Sequence, residues 1–437
     1  MLSRHKKVLR IAVPVTLNNL LHTMVIYTDF AMVSRLNTDA IVAVGLGMQV
    51  WGMFYATMSL IYTGQNALMS RFVGAGEYRR ASMVISTLLI FVAVISLPVI
   101  LFWNYVGLWV FDLFGASPSV DELAQAYLTI VFIAIPFEYV NSIFFTAFSS
   151  EGNTKTAMYI TLTIVFLNAL ADYVLIFGHF GFAKMGVEGA AIATLVMIIF
   201  ETIVFALYFL RGKTHFTPMR HFSSRLIKRV LRIGFPAMVD KVLGSTAMLL
   251  LAGMILALGT EVSAGFQLGL RIEGLAYMPG FGFAMAASVL MGQGLGAKDP
   301  GRSYRNVMLS LRYSVAIMFT VSILFIMFPG SLVQLFTNES RIIYEASMYL
   351  IIVAAIQIPL GVYLTLSSAL KGAGDTKRTF WINFITMWVF RIIPGLVSVY
   401  GFSSIIGVYI GMVADPVAKA VIFWREFKKG AWKRLKI

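Results

Sequence analysis

The stretch IAVPVTLNNLLHTMVIYTDFAMVSR runs from Ile11 to Arg35 and places an acidic residue, Asp29, inside a long apolar segment. The segment is long enough to cross a bilayer, which takes about 20 mostly apolar residues. A charged side chain near the bilayer centre costs roughly 2.5–3.5 kcal/mol on insertion scales, so such residues are rare and usually functional. We therefore expect Asp29 to bind a cation or a proton.

Apolar segments of this kind recur along the whole chain of 437 residues, which is 59% hydrophobic and only 13% charged, with a mean hydropathy of +0.83. This composition predicts an all-α polytopic membrane protein. The chain has no cysteine, which excludes disulfides, cysteine-ligated metals and cysteine nucleophiles. The five histidines are scattered, so a His-rich metal or haem site is not expected, and we expect no cofactor.

The charges are confined to short intervals between apolar spans. Most of the 35 Lys and Arg lie on one side, whereas only Arg35, Lys184 and Arg341 fall on the other. The positive-inside rule then places both termini on the cytoplasmic side of the cell membrane. The net charge of +15 reflects this topology and some attraction to membrane lipids, and no nucleic-acid partner is expected. Twelve transmembrane helices are predicted, at approximately residues 11–35, 40–70, 83–110, 122–148, 157–178, 186–211, 231–257, 262–292, 306–328, 341–370, 380–400 and 402–425.

The two halves of the sequence match each other without gaps at an offset of 222 residues. Pro14 meets Pro236, and the pair Tyr127-Leu128 meets Tyr349-Leu350. One register that holds over about 150 residues indicates an internal duplication.

Each half contains six spans, so both halves begin on the same side of the membrane. Two such copies are expected to be related by an axis along the membrane normal, as homologous six-helix lobes around a central cavity. The predicted organisation is an N-terminal lobe (1–210), a cytoplasmic connector (211–230), a C-terminal lobe (231–425) and a basic cytoplasmic tail (426–437). We expect the protein to act as a monomer.

Six short stretches carry a resemblance through their order and spacing. They are Ile11-Ala12-Val13-Pro14, Thr28-Asp29-Phe30-Ala31-Met32-Val33, Gly74-Ala75-Gly76-Glu77, Glu151-Gly152-Asn153-Thr154-Lys155, Gly186-Val187-Glu188-Gly189-Ala190-Ala191 and Met278-Pro279-Gly280-Phe281-Gly282. Together they resemble the multidrug and toxic compound extrusion (MATE) transporters, over nearly the whole chain. The resemblance implies an antiporter, not an enzyme, that exports drug-like, amphipathic or cationic small molecules in exchange for H⁺ or Na⁺ by rocking of its two lobes.

The sequence is most similar to the prokaryotic branch of that family, whose cation site lies in the N-terminal lobe. This resemblance implies that Asp29 forms the site together with Asn168 and Asp172, and that the same three residues would be the metal ligands if the ion is Na⁺. It also implies that Pro14 marks a bend in the first helix that is tied to protonation.

The branch usually supplies a hydroxyl from the sixth helix, where this chain has Ala190, so Thr194 one turn later is the expected substitute. Independently of the family, Asn168 and Asp172 are four residues apart and project from one helix face. Two carboxylates with neutral oxygens suit a hard cation or one shared proton.

The alternative interpretation of these residues is a polar cluster that joins helices by hydrogen bonds. The repeat supplies a control, because the equivalent positions of the second copy hold Leu251, Phe390 and Pro394. Since the duplicated fold forms without these polar groups, the functional interpretation is preferred.

The C-terminal lobe has its own charges within the spans, and two interpretations remain open for them. They either form internal ion pairs or line a polar wall that contacts substrate or lipid head groups. These charges are Asp240, Lys241, Arg271, Glu273, Arg391, Asp415 and Lys419. The candidates for substrate contact in the cavity are Tyr27, Glu138, Asn141, Asp240, Arg271 and Glu273.

The main alternative function is a flippase for a lipid-linked precursor from the same superfamily. It would need cationic residues for a diphosphate, and Lys241, Arg271 and Arg391 could serve. A proton-conducting subunit of an energy-converting complex is a more distant alternative, because it would need polar residues in most spans and the third and ninth have almost none.

Gly372-Ala373-Gly374-Asp375 matches the Gly-x-Gly-Asp of intramembrane aspartyl proteases. Its Asp375 stands among Lys371, Lys377 and Arg378 at a helix end, and its repeat partner is Asn153. A protease is therefore rejected.

Overall fold

The computed structural model describes residues 2–114, 117–435 and 437, and the elements in these ranges are helical. The α-helices are α1 (Leu2–Val33), α2 (Thr38–Gly74), α3 (Tyr78–Phe114), α4 (Pro118–Phe132), α5 (Ile135–Glu151), α6 (Thr154–Phe177), α7 (Gly186–Leu210), α8 (Ser224–Leu256), α9 (Thr260–Ala276), α10 (Met278–Gly296), α11 (Pro300–Met327), α12 (Pro329–Gln334), α13 (Ser340–Ala354), α14 (Gln357–Gly372), α15 (Thr376–Thr386), α16 (Ile393–Leu396) and α17 (Ile406–Lys429). Two π-helical segments, Met387–Ile392 and Val397–Gly401, flank α16, and a 3₁₀ turn at Ala431–Arg434 follows α17.

Within the described ranges, nine helical segments are individually long and apolar enough to cross a membrane. Three further spans consist of two helices each, so the total reaches twelve if each bent pair is one span. The structure therefore confirms the predicted all-helical, multi-pass membrane protein.

The three bent pairs are α4 with α5, α9 with α10, and α13 with α14, and they bend by 45°, 45° and 59°. A proline follows each break: Pro136, Pro279 and Pro359. Proline has no N–H to donate and its ring clashes with the carbonyl one turn earlier, which interrupts a helix. The copy of Pro279 in the first half is Thr57, and there α2 runs unbroken. The sequence prediction did not include these breaks.

The helix boundaries repeat at the same offset as the sequence. Helix α2 begins at Thr38 and ends at Gly74, and its copy, α9 with α10, begins at Thr260 and ends at Gly296. Helices α4 and α13 match at both ends in the same way. The duplication seen in the sequence is therefore also a duplication of helices.

The described chain divides into two compact units. The first contains the residues up to Thr16 together with Asn66–Ala75 and Arg232–Ile437, and the second contains Leu17–Gln65 and Gly76–Leu231. The division into lobes at residues 210 and 231 stays a prediction.

The interior of each unit is mainly apolar. In the first unit one buried cluster includes Phe266 and Tyr349, whose rings meet edge to face at 5.0 Å, and another surrounds Trp432. In the second unit Phe144 and Phe148 of α5 pack against Phe205 of α7. This packing fixes the spacing of α5 and α7 beside the polar residues of the same unit.

Candidate functional site

Asp29, Asn168 and Asp172 lie together in the second unit and are all buried. Asp29 lies one turn before the end of α1, and the other two share one face of α6. The side chains of Asp29 and Asp172 are within hydrogen-bonding range of each other. The structure thus brings together the two acids that the sequence analysis singled out.

Most side-chain oxygen and nitrogen atoms of these three residues have no hydrogen-bond partner among the described residues. Among the described residues, no donor reaches Asp29 Oδ1 or either carboxylate oxygen of Asp172, and both amide atoms of Asn168 are also unpaired. Ionised carboxylates accept hydrogen bonds but cannot donate them. The contact between the two acids is therefore favourable only when a proton or a cation lies between them.

The oxygen atoms of these side chains are suitable ligands for a small hard cation or a proton. Two carboxylates and the Asn168 carbonyl oxygen offer oxygen ligands of the kind that Na⁺ accepts. Burial increases the repulsion between two ionised carboxylates, because the protein interior screens charge much less than water does. The arrangement can bind one positive charge and change its packing when that charge leaves.

Tyr127 is a member of this site that the sequence analysis did not identify as one. It is buried on α4, within electrostatic reach of both Asp29 and Asp172. Its ring packs against Gly47 of α2, where an added Cβ would be 3.0 Å from the ring. Its copy, Tyr349, donates a hydrogen bond to Glu273 in the first unit. A tyrosine retained in both copies was the available signal.

Thr194 is not brought to the carboxylates through any described contact. Its side chain is half-buried on α7, and its hydroxyl donates to the backbone oxygen of Ala190, 3.0 Å away. A hydroxyl that bonds to its own helix in this way is a common alternative to an interaction with another helix. The assignment of Thr194 as a ligand stays a prediction.

Two other predicted residues lie on α1. Pro14 is buried inside the helix, which continues on both sides of it. Tyr27 is 41% exposed, two residues before Asp29. The conformational role of Pro14 and the substrate contact of Tyr27 stay predictions.

A second polar network lies in the same unit and includes Glu201, which is buried. Asn141 Nδ2 donates to Glu201 Oε2 at 3.2 Å, and Thr161 Oγ1 donates to Oε1 at 3.3 Å. Thr202 Oγ1 in turn donates to Asn141 Oδ1 at 2.8 Å. Asn141, a predicted substrate contact, is therefore part of a network that joins α5, α6 and α7.

Glu138 differs from Glu201 in its exposure and in its partners. It lies in the first turn of α5, is half-buried, and accepts a 2.8 Å hydrogen bond from the hydroxyl of Tyr55. Within the described ranges no Lys or Arg forms an ion pair with it. Its carboxylate is therefore open to a further partner.

In the first unit, four of the seven charged residues form ion pairs, and these pairs centre on two aspartates. Asp240 accepts from Lys371 at 2.8 Å and from Asn383. Asp415 binds Lys419 at 2.9 Å and lies 3.8 Å from Arg391. These contacts favour the internal ion-pair interpretation for both aspartates.

The remaining charges of the first unit are arranged differently. Glu273 is buried and accepts hydrogen bonds from Tyr349 and from Gln357 Nε2. Arg271 and Lys241 are exposed, and neither forms an ion pair within the part of the chain that the structure describes.

Comparison with known proteins gives the context for this geometry. A family model described as MatE matches residues 14–174 and 236–397, which are the two copies of the repeat. A relative from Thermotoga maritima, named a probable multidrug resistance protein NorM, is 28% identical, and the alignment covers 98% of this chain and 93% of the relative.

Two solved structures have the same fold. One is described as the outward-facing conformation of a multidrug resistance MATE family transporter of the MOP superfamily, with a TM-score of 0.90, 22% identity, and coverage of 99% of this chain and 97% of that one. The other is a MOP superfamily transporter from Pyrococcus furiosus with a binding pocket described as reversed in polarity, with a TM-score of 0.90, 21% identity and the same coverage.

Proposed function

Because this chain belongs to the MatE family of transporters, we propose that it is a secondary active exporter that releases organic compounds in exchange for H⁺ or Na⁺. The observation that carries the proposal is the pair of buried carboxylates, Asp29 and Asp172, which lie in contact while three of their four oxygens have no hydrogen-bond donor among the described residues. The multidrug names of relatives support drug-like, amphipathic or cationic substrates. The same names make a lipid-linked-precursor flippase the less favoured candidate.

The coupling follows from electrostatics. When the site holds no cation, two negative charges repel each other across the contact between α1 and α6. Binding of H⁺ or Na⁺ from outside removes that repulsion and lets the end of α1 pack against α6. The ion can drive transport only if it prefers one conformation, since equal affinity for two states shifts nothing.

We place Asn168 in the site as a neutral ligand and Tyr127 as the hydroxyl that supports it. Asn168 supplies a carbonyl oxygen one helical turn from Asp172. The buried Tyr127 can donate to whichever carboxylate is ionised. Repacking of the end of α1 would be transmitted along that helix toward Pro14, a position where the backbone lacks one hydrogen bond and bends more easily.

The proposed setting is the cell membrane, with both termini in the cytoplasm and a single chain as the working unit. The lobes 1–210 and 231–425 would rock to expose a central cavity to either side in turn. Substrate would be released outward as the ion is bound, and loss of the ion to the cytoplasm would reset the protein.

The test uses purified protein in liposomes that contain a fluorescent organic cation. A pH gradient and a Na⁺ gradient, each directed inward, are applied separately to the wild type and to Asp29→Asn. The wild type is expected to release the dye under at least one gradient and Asp29→Asn under neither. Glu188→Gln is the control, since it removes an exposed acid from the start of α7. Undiminished gradient-driven release by folded Asp29→Asn would contradict the proposal.

A further inference from the structure

We propose that Glu138 and the ring of Tyr55 form a recognition site for the cationic group of the substrate, a quaternary or protonated amine. This inference rests on the proposed export function and names the substrate chemistry that the second unit would select. It assigns to Glu138 a contact with the transported molecule, separate from the ion site at Asp29 and Asp172.

The position of Glu138 requires a polar environment. It follows the break between α4 and α5, within one bent span, and its side chain is only half-buried. Ionisable groups within membrane spans almost always face the protein interior or a water-filled cavity, because lipid cannot solvate them. The accessible part of this carboxylate therefore faces a space that a polar ligand can enter.

An ionised carboxylate at this position would be uncompensated. The described residues provide Glu138 with one close partner, the neutral hydroxyl of Tyr55, and with no cation in ion-pair contact. Glu201 lies near enough to add its own field. A bound cation would favour the ionised form of this carboxylate, because a nearby opposite charge stabilises it. A ligand with a positive charge is the partner that this environment favours.

Aromatic rings beside the carboxylate make an organic cation a better fit than a bare ion. Tyr55 is 42% exposed, and its ring meets Trp51 edge to face at 5.5 Å. The side chain of Trp51 is also within hydrogen-bonding range of the Tyr55 hydroxyl. Organic cations bind over such ring faces through cation–π attraction. A carboxylate next to a fixed, accessible ring is the combination that recognises alkylated ammonium groups.

There is room for a ligand beside the ring. Gly52 is one turn before Tyr55 on the same face of α2. It is exposed, and a Cβ built there would have no atom within 4 Å. The face of α2 that carries Tyr55 is therefore open where a substrate would have to lie.

Glu201 provides the contrast within the same unit. Both of its carboxylate oxygens already accept hydrogen bonds, from Asn141 and Thr161, and it is only 6% exposed. It joins helices, and its burial keeps it from a ligand in an open space. The two glutamates thus have different predicted roles, one structural and one in recognition.

The repeat indicates that the fold does not need Glu138. At the equivalent positions of the second copy, Glu138 becomes Leu360 and Trp51 becomes Glu273, while Tyr55 becomes Tyr277. The carboxylate and the supporting tryptophan occur together only in the first copy. A recognition site in one copy explains this asymmetry better than a packing requirement shared by both.

The experiment measures equilibrium binding to the full-length protein, without any ion gradient. The probes are a fluorescent dye that carries a trimethylammonium group and its uncharged analogue with a tert-butyl group in the same place. We expect the wild type to prefer the charged dye, and Glu138→Gln to raise its Kd about tenfold or more, while the Kd of the uncharged analogue changes less than about twofold. Tyr55→Phe, which keeps the ring, should have a smaller effect than Tyr55→Leu.

Two results would overturn the inference. One is a wild type with no preference for the charged dye, and the other is folded Glu138→Gln with unchanged affinity for it. If Glu138→Gln does not fold, the charge-selective loss in Tyr55→Leu decides in the same way. Because binding needs no gradient, a wild type that selects the charged dye but shows no gradient-driven release would contradict the export proposal and leave the recognition site supported.

Discussion

Asn66 Nδ2 donates a 2.8 Å hydrogen bond to Ser288 Oγ, and these two residues occupy the same position in the two copies of the repeat. Both residues belong to the first unit. Both are buried, in α2 and α10. Within the first unit, the end of α2 therefore packs against α10 at equivalent positions of the repeat.

Glycines allow this close approach. A Cβ at Gly74 would collide with the backbone oxygen of Gln293, and a Cβ at Gly296 would collide with that of Arg71. Gly74 and Gly296 are themselves equivalent in the repeat, as are Arg71 and Gln293. The same close backbone contact is thus made twice, once between Gly74 and Gln293 and once between Gly296 and Arg71.

Replacing Gly296 should therefore be strongly destabilising. Gly296→Val forces two backbones apart, and overpacking of this kind typically costs about 1–3 kcal/mol. We expect a clear loss of thermal stability in detergent. Gly274→Ala is the matched control, because a Cβ there meets nothing within 4 Å. Equal stability of the two variants would mean that α2 and α10 do not pack as described.

If transport requires the lobes to rock, α2 and α10 should separate at Asn66 and Ser288 during the cycle. The chain has no cysteine, so Asn66→Cys combined with Ser288→Cys creates the only thiol pair. We expect a short bifunctional thiol reagent to link the pair and stop transport, and reduction of a reducible linker to restore it. Each single-cysteine variant is the control. Full transport by the linked protein would show that this crossing stays closed.

Asp172→Asn should have the same effect as Asp29→Asn, because each removes one member of the same pair. Gradient-driven transport is expected to fall by about tenfold or more, where each factor of ten corresponds to roughly 1.4 kcal/mol. The double variant should be no worse than either single one, since residues that act as a unit are not additive. Additive losses measured in liposomes would indicate two independent sites.

The last turn of the chain is held by Trp432, which is 1% exposed, stacks on Phe427 at 5.4 Å and donates to the Phe427 backbone oxygen. Trp432→Ala should lower the free energy of unfolding by about 3–5 kcal/mol, as for other buried aromatic residues. Trp109→Ala is the comparison, because Trp109 is 56% exposed on α3 and its removal should cost much less. Thermal unfolding should separate the two variants, and similar losses would argue against docking of this segment.

The number of spans and the pairing of Asp29 with Asp172 could be predicted because hydrophobic length and intramembrane charge are strong signals. The breaks in three spans were not predicted, because a proline within a helix does not always interrupt it: α1 continues through Pro14, whereas the span containing Pro279 bends. Which result occurs depends on the neighbouring helices.

The contacts between distant helices were the other part that the sequence could not supply. Tyr127 comes near the acids only through tertiary packing, with its ring against Gly47 of α2, and no spacing in the sequence indicates this. Thr194 has the residue type of a ligand, but its hydroxyl bonds to Ala190. Residue type predicts what a group can bind, whereas only tertiary packing decides what it meets.

The central claim is that Asp29 couples ion entry to substrate exit, and the most direct measurement records the ion. Liposomes are loaded with a substrate dye, no ion gradient is imposed, and internal H⁺ and Na⁺ are followed as the dye leaves. The account predicts that wild-type protein moves one of these ions inward in proportion to dye efflux and that Asp29→Asn does not. Dye efflux with the same ion movement in folded Asp29→Asn would contradict it.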